Sequence, residues 1–128
     1  MNKKIILLSL VFVFTTILIS CEKAGLGGDA TIAAFSKHHE KAIYGATVYV
    51  KFNTKDSPGS GISGYDATFV GEANEDHVHI EGLKQGNYYF YSVGYDSAIR
   101  SPVYGGRTVT IKRKDKSDEQ SLDISVTE

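Results

Sequence analysis

From Gly82 to Asp96 the chain reads Gly-Leu-Lys-Gln-Gly-Asn-Tyr-Tyr-Phe-Tyr-Ser-Val-Gly-Tyr-Asp. Aromatic and β-branched residues crowd this run, and such residues favour the pleated, half-buried surface of a strand. Alternate side chains of a strand point to opposite faces. Tyr88 and Phe90 therefore share one face, and Tyr89, Tyr91 and Val93 share the other. The turn signal Lys84-Gln85-Gly86 precedes the run. It reads as the central strand of an antiparallel sandwich, and the rest of the chain has to supply the partners.

Those partners repeat a period of two. In Ala46–Phe52, Ala46, Val48, Val50 and Phe52 fall on one face and Thr47, Tyr49 and Lys51 on the other. Such a pattern sets one face on a core and one toward solvent. His77–Glu81 alternates in the same way, with Val78 and Ile80 opposite His77, His79 and Glu81. Ala30–Ser36, Asp66–Gly71, Thr108–Lys112 and Leu122–Val126 are further strand candidates. Lys37–Lys41 and Glu72–Asp76 read as polar turns, and Ser101-Pro102 and Gly105-Gly106 as a break followed by a turn. Asn53–Gly64, with Pro58, three glycines and three serines, is the long loop. Short strands separated by turn signals, with no helical period after Cys21, predict an all-β fold, a single antiparallel β-sandwich of seven to eight strands. Its core should hold Val48, Val50, Val78, Ile80, Leu83, Phe90, Val109, Ile111, Ile124 and Val126.

The first residues carry an address. Lys3 and Lys4 precede an apolar run from Ile5 to Ile19, the parts of a secretory signal. The run is shorter than the roughly 20 apolar residues that a permanent membrane span needs. It ends in Leu18-Ile19-Ser20-Cys21, which resembles the bacterial lipobox, whose cysteine is acylated after the chain is cut before it. Cys21 is the only cysteine. Residues 1–20 are thus expected to be a lipoprotein signal peptide. Residues 21–29 are expected to be the lipidated Cys21 with a flexible tether, and residues 30–128 the folded domain. The membrane, reached through Cys21, is the first expected partner, and the outer membrane of a bacterial envelope the expected location.

Once residues 1–20 are removed, twelve basic residues face fifteen acidic ones. The basic run Lys112-Arg113-Lys114 is followed at once by Asp115. Neither pattern offers a stripe for phosphate, so nucleic acid is not an expected partner.

Three pieces in order carry a family likeness. They are Ala42–Val50 after a strand and a polar turn, Ala73-Asn74 before an alternating strand ending in Gly82-Leu83, and Gly86–Phe90 leading to Gly94-Tyr95. Over residues 30–126 this resembles the carboxypeptidase-regulatory-like domains, which share the transthyretin (prealbumin-like, Ig-like) sandwich. Small lipoproteins of this kind are common in Bacteroidetes-type bacteria. The resemblance implies a non-catalytic module and puts Tyr88 and Phe90 inward. It also sets the strand of Tyr49 beside that of Tyr89 and Tyr91. Hydroxyisourate hydrolases share the sandwich, but their Tyr-Arg-Gly-Ser tail has no counterpart in Ile124–Glu128. Fold alone does not assign activity.

Two candidate sites follow. Tyr49, Tyr89 and Tyr91, with Lys51 at their border, are expected to form an outward face for a protein or glycan partner, because tyrosine brings large contact area at low entropic cost. His77 and His79, two apart on one strand face and followed by Glu81, could hold Zn or Cu. No catalytic residues and no cofactor are assigned. Gly59-Ser60-Gly61 lies in a loop and lacks the strand-to-helix elbow that activates a serine. The expected function is a lipid-anchored envelope protein acting as a binding or accessory module, not an enzyme. The alternative is a metal-binding envelope protein, and an envelope hydrolase comes last.

Overall fold

The computed structural model describes residues 23–59, 61–115 and 118–128. The signal segment 1–20 and Cys21 lie outside the described residues. Eight strands follow in order: β1 (Leu26–His38), β2 (Lys41–Ala42), β3 (Thr47–Phe52), β4 (Ala67–Val70), β5 (His77–Leu83), β6 (Gly86–Asp96), β7 (Ser101–Ile111) and β8 (Glu119–Ser125). The only helical pieces among the described residues are two 3-10 turns, Ile62–Gly64 and Arg113–Asp115. One sheet joins β2, β1, β5 and β8, and the other runs β4-β3-β6-β7. The all-β sandwich is the observed fold.

One pairing departs from the expected antiparallel pattern. β8 runs parallel to β1, from Thr31 opposite Glu119 to Lys37 opposite Ser125. β7 and β8 belong to different sheets, so the chain crosses between layers after Ile111 instead of doubling back. A hairpin would have forced antiparallel pairing; a crossing does not.

The core is the one that alternation predicts. Val48, Val50, Ile80, Leu83, Phe90 and Ile124 are fully buried, and Val78, Val109, Ile111 and Val126 are at most 7% exposed. Tyr88 joins them on the Phe90 face. At one end of the sandwich two polar pairs cross the core from β1 to β6. The Ser36 and Ser92 hydroxyls are 2.5 Å apart, and His38 Nδ1 lies 2.8 Å from Asp96 Oδ2. No side-chain polar atom buried among the described residues lacks a partner, as a low-dielectric interior demands.

Two segments differ from expectation. The tether was expected to run to Asp29, but β1 already begins at Leu26 and Ala24 is buried in the core. The Tyr88 hydroxyl supplies the reason. It accepts the Gly25 N–H at 2.9 Å and donates to the Lys84 carbonyl at 2.6 Å, while Lys84 N–H bonds the Gly25 carbonyl. Backbone groups that would otherwise need water are satisfied, and the segment stays down. Second, Ser101-Pro102 and Gly105-Gly106 do not break β7; the strand pairs with β6 without interruption from Ser101 to Ile111. Its glycines are there for closeness. A Cβ on Gly105 would collide with the Ser125 carbonyl, and one on Gly106 with the Tyr89 ring.

Candidate functional site

β3 and β6 pair as expected, with Tyr49 opposite Tyr91 and Lys51 opposite Tyr89. Extending the register across the sheet builds its outer face. Thr68, Tyr49, Tyr91 and Gly106 form one row, and Val70, Thr47, Val93 and Tyr104 the next. Tyr95 and Pro102 continue it at one end. Among the described residues, the one ion pair on this face is Lys51 with Asp66, at 3.2 Å. Nearly everything else there is a ring, a methyl or a hydroxyl.

The face is aromatic, yet Tyr91 is not a free contact residue as expected: it is 9% exposed. Tyr65 stacks on it with ring centres 5.7 Å apart, and Tyr104 and Tyr49 close in at 6.4 and 6.5 Å. Burial pushes the Tyr91 and Tyr65 phenols above their ordinary range. Tyr91 therefore supports the patch from beneath. Tyr49 and Tyr89 are half-buried. The outward surface is carried by Tyr104, Tyr95 and Val70, which are 43%, 56% and 73% exposed. Tyr95 and Tyr44 also line a shallow hollow of about 330 Å³ above Asp96. Sequence reasoning missed Tyr65 and Tyr104. An aromatic just after a glycine- and serine-rich loop was the available signal for the first. For the second it was the alternation of Val103 and Tyr104, obscured by the glycines that follow.

The outer face of the other sheet holds the second candidate. His77 and His79 project from β5 beside Phe35 and Ala33 of β1. Their Nε2 atoms are 3.0 Å apart. Asp76 lies 2.8 Å from His77 Nδ1, and Glu119 of β8 lies 3.5 Å from His79 Nδ1. The small side chain of Ala33 leaves the gap across which His79 meets Glu119. The hydrogen bond to Asp76 raises the His77 pKa above its usual range. Phe35 lies against the His77 ring at 5.0 Å and fixes its tilt. The carboxylate that joins the two imidazoles is Glu75, not Glu81 as expected. Glu75, His77 and His79 each offer a donor atom, and these atoms lie within 4.8 Å of one another. Residues two apart on a strand are separated by roughly 6.6 Å, which leaves Glu81 a full step further along. The turn closed by Glu75 N–H on the Glu72 carbonyl brings Glu75 back toward the strand.

His38 was expected on an exposed turn beside His39. The turn is tighter than Lys37–Lys41: it runs through His39 and Glu40 alone, with φ of 47° and 66°, the backbone that a two-residue loop requires. His38 is left inside the sandwich, facing Asp96. The His38 ring nitrogen and then the Ala98 N–H hold the Asp96 carboxyl below the usual carboxylate range. A lowered folded value means the charged form is favoured by folding. That contribution is whole above the unfolded value of about 3.9 and is lost as pH falls through the lower folded value. Wild-type stability is expected to fall below about pH 4, and Asp96→Asn to show a shallower acid slope in thermal melts from pH 5 to 2. Equal slopes would place the acid sensitivity elsewhere.

No protein-family model matches the chain, and no curated protein or solved structure matches it either.

Proposed function

We propose that this protein is a lipid-anchored, non-catalytic binding module of the bacterial envelope, built on a prealbumin-like sandwich, which docks a partner on its tyrosine face. The observation that supports this most is the composition of that face. Exposed apolar side chains are ordinary when scattered, but a contiguous patch marks an interaction surface. Here Tyr104, Tyr95, Val70 and Pro102 stand clear of the sheet around a packed floor of Tyr49, Tyr65 and Tyr91. Valine and proline beside the rings favour a protein partner, because aliphatic groups give sugar hydroxyls nothing to bond. Ser36, Ser92 and Asp96 are buried in pairs that tie the two sheets together, out of reach of a substrate.

Anchoring at Cys21 fits the same reading. Cys21 precedes buried Ala24 by three residues, a reach of about 10 Å at full extension. The lipid would hold the domain against the outer membrane with little slack. Several acyl chains on one residue give stable attachment where a single chain is marginal.

Capture from solubilised envelopes tests both halves. The wild-type protein is expected in the membrane fraction with acyl mass on its first mature residue, and Cys21→Ala is expected to lose that mass. Replacing Tyr95 and Tyr104 together with serine is expected to weaken partner binding by about 30-fold or more, the loss when a hot-spot aromatic worth ~2 kcal/mol is truncated. Identical capture by wild type and the double variant would place the binding surface elsewhere. Capture that is sensitive to glycosidase and resistant to protease would make the partner a glycan.

A further inference from the structure

The histidine cluster lies on the sheet opposite the tyrosine face and is independent of it. We propose that Glu75, His77 and His79 bind one divalent transition metal of the zinc class, with a fourth position open to solvent. A solvated strand edge accounts for exposed histidines. It does not account for the way these two are turned.

Each imidazole presents one nitrogen to a carboxylate and the other to its neighbour. Nδ1 of His77 faces Asp76 at 2.8 Å, and Nδ1 of His79 faces Glu119 at 3.5 Å. A carboxylate on Nδ1 turns Nε2 toward the neighbouring ring, the arrangement that orients metal-ligating histidines and raises their basicity. The hydrogen bond between the two Nε2 atoms leaves a proton on one of them, which a bound ion displaces. Those two Nε2 atoms converge to 3.0 Å. Two nitrogens that each lie about 2.0–2.1 Å from a tetrahedral zinc are roughly 3.3 Å apart. A small parting of the rings thus opens the bite of a chelate.

Glu75 completes the set. Its donor lies within 4.8 Å of those of both histidines. Two neutral imidazoles and one carboxylate leave one positive charge on a bound dication, and Asp76 and Glu119 lie just behind to offset it. Two nitrogens and one oxygen, with no thiolate, suit Zn²⁺ or Cu²⁺. Calcium and magnesium prefer shells of oxygen. Three protein ligands leave a coordination place for water or for a group from elsewhere. The side chains of His77 and His79 are 23% and 43% exposed, so an ion reaches them without opening the fold.

The test is titration of Zn²⁺ alone into the full-length protein in detergent, after stripping with a chelator. One equivalent should bind saturably, and Cu²⁺ should displace it, following the order of affinities for nitrogen ligands. His79→Ala is expected to lose on the order of 100-fold or more in affinity. Asp76→Asn should lose about 10–100-fold, the usual cost of removing a group that orients a ligand. Glu75→Gln should weaken binding, and Glu81→Gln should leave it unchanged. The zinc absorption edge of the wild-type complex should show nitrogen and oxygen neighbours, imidazole scattering and no sulfur, a readout that needs no variant to fold. Absence of saturable binding would overturn the proposal. So would binding that survives His79→Ala, depends on Glu81 in place of Glu75, or yields to millimolar Mg²⁺.

Discussion

Phe90→Ala is expected to bring the domain to the edge of unfolding. Phe90 is fully buried on β6, one of the two strands with neighbours on both sides in the β4-β3-β6-β7 sheet. It stands opposite Val50 of β3 and Arg107 of β7, and its ring meets that of Tyr88 edge-on at 6.3 Å. Truncating such a ring removes its transfer free energy and leaves a cavity that rigid strands cannot close, a cost of about 3–5 kcal/mol. Domains of this size have only about 5–15 kcal/mol to lose. The melting temperature is expected to drop by roughly 15 °C or more. Thr108→Ala, at an exposed position on β7, should stay within about 0.5 kcal/mol. A small loss at Phe90 with a large one at Thr108 would mean that the two faces of this sheet have been assigned the wrong way round, and small losses at both would mean that Phe90 does not pack in the core.

That pair of variants tests the part of the fold that the chain states openly. Burial follows alternation because a strand has only two faces and one must leave water, so Val48 and Val50, or Val78 and Ile80, could be placed from spacing alone. The same spacing put His77 beside His79; that the strand of Tyr49 lies beside that of Tyr91 is an expectation of the family likeness, not of spacing. What spacing could not state is which residues come from elsewhere to complete each group. Tyr65 reaches Tyr91 from the end of the long loop, and Glu119 reaches His79 from a strand 40 residues further along the chain: it arrives only because β8 enters parallel to β1. Glu75 replaces Glu81 because a turn curls, whereas alternation assumes a straight strand. The early start of β1 depends on one phenol, that of Tyr88, bonding a backbone 63 residues away. Each of these is a tertiary contact, and local propensity holds no record of it.

Gly105→Ala is expected to cost about 3 kcal/mol or more, at the upper end for forcing extra volume into a packed site. A glycine in a turn is there for its backbone freedom. Gly105 is there because its neighbour is too close. It sits in mid-strand on β7, opposite Ser92 of β6. The chain end lies directly over it: a Cβ would collide with the Ser125 carbonyl and lie 3.1 Å from Val126 Cα. This contact closes the sandwich. Next to it Tyr104 and Thr127 exchange two backbone hydrogen bonds at 2.9 Å each, joining the tail of one sheet to the edge of the other. Backbone atoms cannot swing aside as a flexible side chain can, so an added methyl must part the two segments. Parting them strains those bonds and uncovers Val126, which is 2% exposed, and Ile124, which is fully buried. Gly61 provides the control, since a Cβ there meets nothing within 4 Å. Denaturant titration should find Gly61→Ala close to wild type and Gly105→Ala strongly destabilised, with hydrogen exchange at the Thr127 and Tyr104 amides accelerated beyond that of the β3–β6 pair. Equal stability of the two variants would mean that Gly105 lies in a loop with room around it, and that the tail does not close the two sheets.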